Sequence, residues 1–259
     1  MTDQLSLELD DALPHPPERL RPMLPRPATA PFDSADHLFE PSWGGRRALA
    51  FLEPAVERGA DERWRTATGL PSLRLLDAGG VDLAGLVPEL DELALRIEAR
   101  SAVLDGEIVA TTNMGRADPA GLDARLRGRP GPPLTYLAFD LLYLDGRPLL
   151  GQALERRREA LRKTLRPGPE IVAVPAIPGE GRALHEAVTA QGLAGILARQ
   201  RTSPYLPGVR SRLWRSVAAG AAAAPPDAAS DADKVAGVAA QGRGSILAVI
   251  RKLPLEDEP

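Results

Sequence analysis

Carboxylates and arginines that could handle a charged substrate gather in three short phrases. These are Glu40-Pro-Ser-Trp-Gly-Gly-Arg-Arg47, Leu104-Asp-Gly-Glu-Ile-Val-Ala110 and Phe139-Asp-Leu-Leu-Tyr-Leu-Asp-Gly146. What is missing around them narrows the chemistry. With no cysteine, thiolate catalysis, disulfides and cysteine-held metals are excluded. His15, His37 and His185 lie far apart and show no ligand spacing, so they read as surface or incidental residues and no metal site is expected. Of the 32 basic residues 29 are arginine, and lysine stands only at 163, 234 and 252. Residues 1–162 therefore offer no side-chain amine as a nucleophile. Ser42 would need a base beside it to attack phosphorus, and no histidine lies in its stretch.

The rest of the chain bounds the setting. A length of 259 residues is enough for one large core or two modest ones. Apolar content of 44% and charged content of 26% are ordinary for a globular protein. No apolar run approaches the roughly 20 residues that span a bilayer. The acidic start, Met1-Thr-Asp-Gln-Leu-Ser-Leu-Glu, lacks a signal-peptide layout, so a soluble cytoplasmic protein is the expectation. A net charge of −3 works against a strong hold on nucleic acid, although a local basic face remains open.

Periodicity places the phrases on elements. Residues 1–38 are rich in Pro and Asp and read as a mobile arm leading into the fold, with 1–21 outside the domain. Strands are expected at 46–53, 73–77, 102–111, 134–144, 171–174, 195–198 and 213–217. Leu86, Leu90, Leu93, Leu95 and Ile97 suggest an amphipathic helix over 86–99 opening near Pro88. Residues 154–165 read as an exposed helix with Glu155 and Glu159 among arginines, and 182–190 as a helix closed by Gly192. Strands and helices without strict alternation argue for an α+β domain of packed antiparallel sheets with flanking helices. Residues 218–243 read as an Ala/Pro/Gly-rich linker, and 244–259 as a short C-terminal element.

Taken in order, these phrases resemble the adenylation domain of ATP-dependent DNA ligases. Pro22-Met-Leu matches the family's opening phrase, and Asp82-Leu with Pro88-Glu-Leu matches the entry to the third motif. Tyr205-Leu-Pro-Gly-Val-Arg-Ser211 and Trp214 match the approach to the last strand. The resemblance covers residues 22–217 and implies an ATP-grasp-like nucleotidyltransferase fold. The Tyr205–Ser211 phrase favours the DNA-ligase branch over RNA ligases and capping enzymes. Some forty residues after this region are too few for the five-stranded OB barrel that such ligases carry, so no OB domain is expected.

The departures are as informative. In the family, Glu-x-Lys-Trp-Asp-Gly-x-Arg supplies the lysine that attacks ATP; here Ser42 and Gly44 hold the lysine and aspartate positions. A metal-binding glutamate opens Glu-Gly-Ile-Val-Ala-Lys, and here the phrase reads Ala194-Gly-Ile-Leu-Ala-Arg199, with Arg199 read as a surface arginine. Trp-x-Lys-Val-Lys becomes Trp214-Arg-Ser-Val-Ala218, which removes both phosphate lysines. Asp77-Ala-Gly79 replaces the family's Ser-Arg-Asn phrase. By resemblance Glu40 lies near the adenine amino group, Arg47 and Glu107 near the ribose, and Phe139 stacks on the base. Loss of three charged partners at roughly 1.5–3 kcal/mol each weakens MgATP binding by decades.

The resemblance thus implies a catalytically impaired ligase-family protein in a DNA repair or recombination setting. ATP or AMP would be held weakly, if nucleoside binding survives at all, and the magnesium site would be lost. A second reading is a non-catalytic module that docks on nicked DNA or a DNA-repair protein, motivated by Arg156-Arg-Arg158 and the chain ends. A third is an active ligase with an unexpected nucleophile, against which the missing lysine and glutamate weigh.

Overall fold

Strand β7 (Ala102–Ala110) shows how residue type builds the architecture, because successive side chains point to opposite faces. Leu104, Ile108 and Ala110 join one apolar cluster, while Val103, Asp105, Glu107 and Val109 face the other way. Strand β3 (Arg46–Glu53) does the same, with Ala48, Ala50 and Leu52 on one side and Arg47, Leu49 and Phe51 on the other. The computed structural model describes residues 16–53, 56–58, 64–66, 71–112 and 116–220. The expected C-terminal element and all but the first three residues of the expected linker lie outside these.

The remaining strands are β1 (Leu24–Pro27), β2 (Ser34–Ser42), β4 (Val56–Arg58), β5 (Trp64–Thr66), β6 (Ser72–Asp77) and β8 (Leu134–Leu144). They continue with β9 (Arg147–Pro148), β10 (Ile171–Ala173), β11 (Ile177–Gly179), β12 (Gly195–Gln200) and β13 (Arg210–Ala218). Three α-helices join them: α1 (Pro119–Leu126), α2 (Leu154–Thr164) and α3 (Gly181–Ala190). One sheet runs β1-β13-β12-β2-β11. The other runs β10-β8-β7-β3-β6, with β9 added to β8, and β4 and β5 form a separate pair. Pairing is antiparallel except for β1 with β13 and β8 with β10. The α+β class and packed sheets are as expected.

The two large sheets pack face to face. Leu49, Phe51 and Val103 of one meet Trp214 of the other, together with Met23 and Tyr205. Leu90, Leu93 and Ala94 of a 3-10 helix (Pro88–Arg96) cover the outer face of the six-stranded sheet, with Leu161 of α2. On the five-stranded sheet, Leu184 and Val188 of α3 cover Phe39, Ile196 and Ala198.

Three expectations need correction. Residues 24–27 and 34–38, assigned by composition to a mobile arm, form β1 and the first half of β2, because strand pairing along the sheet overrides weak local propensity. The helix over 86–99 is two 3-10 segments that leave Leu86 and Leu95 exposed; residues at i and i+3 eclipse in that geometry, which suits Leu90 and Leu93. Helix α2 is not an exposed helix, since Arg157 and Arg158 share its buried stripe with Leu154 and Leu161.

Candidate functional site

The first phrase bends between β2 and β3 through two glycines, of which Gly45 is sterically required. Gly44 sits at φ +73°, a conformation most side chains avoid and aspartate tolerates. A Cβ on Gly45 would lie 2.4 Å from the Ile108 carbonyl oxygen. Glu107 holds this turn from β7: its Oε1 accepts from the Trp43 N–H at 3.3 Å and its Oε2 from the Gly45 N–H at 3.1 Å. Burial pushes the Glu107 carboxyl above the usual range, and these two donors and Arg47 partly offset it.

Phe139 owes its aim to a bulge. Asp105 pairs with Asp140 and Gly106 with Ala138, so Phe139 is the extra residue on β8. Bulges re-aim side chains in this way and recur near functional sites. The ring faces two cations: the Arg47 guanidinium is 4.4 Å from its centroid and that of Arg199 is 3.9 Å.

Arg47 reaches Asp105 through two hydrogen bonds, Nε to Oδ1 at 2.6 Å and Nη2 to Oδ2 at 2.5 Å. The Tyr205 hydroxyl donates to the same carboxylate at 2.7 Å and accepts from the Met23 N–H at 3.0 Å. Burial opposes the Arg47 charge, but Asp105 more than offsets it and raises its pKa. Beside this pair, Arg157 binds Asp140 through Nε and Nη2, both at 2.8 Å, and both side chains are fully buried.

Glu40, on β2, lies between two arginines. Arg158 donates to its Oε1 and to the carbonyl oxygens of Phe139 and Val174. Arg199 brings Nη1 to 2.7 Å from Oε2, but the two are misaligned for a hydrogen bond. All three Arg199 nitrogens are buried without an acceptor among the described residues. The side chain is 1% exposed, over Phe139 and 4.6 Å from the Trp214 ring centroid. Burial, with Arg47 nearby, pulls its pKa down against the pull of Glu40.

The four expected nucleoside residues, Glu40, Arg47, Glu107 and Phe139, therefore meet between the sheets, each with a protein partner. Arg199 belongs with them and is no surface residue. Its position on β12 faces the six-stranded sheet, two residues from the β12 partner of Glu40, so its side chain turns inward. The Arg156-Arg-Arg158 cluster, expected to serve as a docking surface, is corrected likewise: Arg157 and Arg158 are buried, and their spacing with Leu154 and Leu161 was the available signal. The positions substituted relative to the resemblance meet as well. Ser42, Gly195 and Ala218 pair across three strands, the Ala194 N–H donates to the Ser42 carbonyl at 3.0 Å, and Ser216 pairs with Leu197 opposite Glu40. Among the described residues no three His, Asp or Glu side chains gather as a metal site.

The family described as the ATP dependent DNA ligase domain matches residues 82–217. The chain belongs to the ATP-dependent DNA ligase family. Its relatives include the multifunctional non-homologous end joining protein LigD of Mycobacterium bovis, 32% identical over 198 residues, which cover 76% of this chain and 24% of that protein. A probable DNA ligase of Rhodococcus opacus is 32% identical over 206 residues, covering 76% of this chain and 38% of that one. A solved mycobacterial DNA ligase D complexed with ATP and MES aligns over 77% of this chain and 60% of its own, at 29% identity and TM-score 0.61. This ligase-family chain thus has the nucleotidyltransferase fold, and it spans only part of the length of those relatives. No helix among its described residues is long and apolar enough to cross a membrane.

Proposed function

We propose that this chain is a ligase-family protein that does not adenylylate itself and serves DNA repair as a non-catalytic domain. One observation carries the reading. Ser42, Ala194, Ser216 and Ala218, where the family would place two kinds of lysine and a carboxylate, converge on neighbouring rungs of one sheet. None of these four side chains is an amine or a carboxylate. Lys163 is the sole lysine among the described residues; its side chain is 74% exposed and pairs with Glu159 at 2.8 Å on α2.

The donor set does not fit MgATP. Covalent catalysis by this family needs an amine that can become neutral and attack phosphorus, and a serine without a base does not replace it. Removal of a nucleophile typically costs on the order of 10⁶ in rate. The nucleoside side is also occupied from within, since Arg47 and Arg199 lie over Phe139 and two arginines flank Glu40. A repair setting is supported by likeness to proteins named for non-homologous end joining.

Denaturing intact-mass measurement after incubation with ATP and magnesium tests the reading. The expected mass is unchanged, and S42K alone stays unmodified because the other three positions remain empty. A gain of one AMP on the wild-type chain would overturn the proposal. For the cleft, the expected melting temperature is the same with and without millimolar adenosine or AMP. A rise abolished by Phe139→Ala would instead establish nucleoside binding.

A further inference from the structure

A groove along the edge where β1 meets β13 takes no part in the cleft between the sheets. Arg26, Arg212 and Arg215 line it with the Pro27–Phe32 turn, around a volume of about 540 Å³. No carboxylate is among the lining residues. A break in strand pairing brings the arginines together: β1 pairs Pro25 with Ser211 and then Arg26 with Arg215, so Arg212, Leu213 and Trp214 are passed over. Strict alternation would send residues three apart to opposite faces, and this bulge instead leaves Arg212 and Arg215 both exposed on the groove. The three arginines form no ion pair among the described residues.

The floor beneath these charges is apolar. Prolines, alanines and Phe32 of the turn supply it, and the Arg215 guanidinium lies 5.3 Å from the Phe32 centroid. Phe32 is anchored in turn on Phe39, edge to face at 5.4 Å between centroids. β1 is the outer strand of its sheet, and its Pro25 and Pro27 have no N–H to offer a further strand. Recognition at this edge therefore falls to side chains and not to a backbone ladder. In a chain of net charge −3, three such arginines over an apolar floor form a local positive field.

We propose that this groove docks an acidic segment of a protein partner, one in which carboxylates flank apolar side chains. The planar N–H fork of a guanidinium matches a carboxylate, and arginine clusters recognise acidic motifs by this means. The floor sets a second requirement. An apolar side chain laid on the prolines and Phe32 leaves water and stabilises the complex, which a bare anion does not do. The net negative charge of the chain opposes a long polyanion, whereas a short segment meets only the local positive field. The inference adds a docking surface to the non-catalytic role, and because it uses no residue of the cleft it stands or falls separately from the loss of adenylylation.

Fluorescence anisotropy with the full chain tests it, using a labelled short peptide in which Asp and Glu flank leucines. A second peptide carries serine in place of each leucine. The leucine peptide is expected to bind more tightly than the serine peptide, and more weakly as salt rises from about 0.01 M to about 1 M. The triple variant R26Q/R212Q/R215Q is expected to weaken it by roughly tenfold or more, while R156Q, which removes an exposed arginine on α2, leaves binding unchanged. Thermal melts by circular dichroism check folding, and the single variants replace the triple one if it unfolds, each weakening binding by roughly two- to fourfold. No binding of the leucine peptide at the low-salt end, or variants that bind it as wild type does, would overturn the proposal. Equal affinity for the serine peptide would overturn it in favour of a bare charge patch. A short DNA duplex that binds through the same arginines more tightly than the leucine peptide would assign the groove to nucleic acid instead.

Discussion

Two groups of arginines in this protein obey opposite rules. Between the sheets, Arg47, Arg157 and Arg158 are fixed by Asp105, Asp140 and Glu40, and Arg199 is buried 2.7 Å from Glu40 with no hydrogen-bond acceptor among the described residues. At the β1–β13 edge, Arg26, Arg212 and Arg215 face solvent with no carboxylate beside them. Burial turns the first group into internal architecture, because a desolvated charge must be paired. Exposure leaves the second group free to recruit an anion from outside. The same residue type thus closes one region of the molecule and opens another.

The sharpest break in that comparison lies within the buried group. Arg157→Met leaves Asp140 as an unpaired buried carboxylate, and we expect a destabilisation of about 3–5 kcal/mol in urea unfolding. Arg199→Met removes a guanidinium that lacks hydrogen bonds, and Glu40 keeps Arg158. There the expected change is smaller than for Arg157→Met, because Glu40 stays paired with Arg158. Equal losses in the two variants would show that Arg199 is as firmly paired as Arg157 and that its orphan nitrogens are satisfied in solution.

Asp105→Asn tests the pair that holds Arg47 over Phe139. It removes the charge on which Arg47 and the Tyr205 hydroxyl converge, so a loss of a few kcal/mol is expected. By contrast, R26Q, R212Q and R215Q should leave the urea midpoint unchanged, since surface substitutions away from special contacts rarely matter. A large stability loss in any of these would place that arginine in the architecture and not in a binding face.

The smallest effect is a titration. His37 is held below its ordinary pKa by burial and by the charge of Arg215, against the pull of Asp36. The unfolded chain therefore binds a proton more readily than the fold, and stability falls as pH drops through about 6.5. Arg215→Gln should move the His37 titration upward in an NMR pH series. An unmoved resonance would mean that Arg215 does not lie over Phe32 in solution.

Much of the fold was legible in the chain. β8 spans the expected 134–144, and β3 and β7 fall within a residue of the apolar runs that announce them. Alternation makes such strands readable. β1 and β2 were not, because Pro25, Pro27, Asp33 and Asp36 mask a local preference that pairing with β12 and β13 overrides. The candidate site was half legible. Glu40, Arg47, Glu107 and Phe139 do meet, but no local pattern says that Arg158 and Arg199 meet Glu40.

Residue identity at successive positions is enough to establish the family frame, the missing amine at Ser42 and the missing carboxylate at Ala194. Which arginines are inside and which outside was decided by tertiary structure alone. Arginine carries the same charge in every phrase, so its role depends on whether a helix stripe or strand face turns it toward a carboxylate or toward water. Arg157 and Arg156 are neighbours in the chain; one is fully buried on Asp140 and the other is 72% exposed.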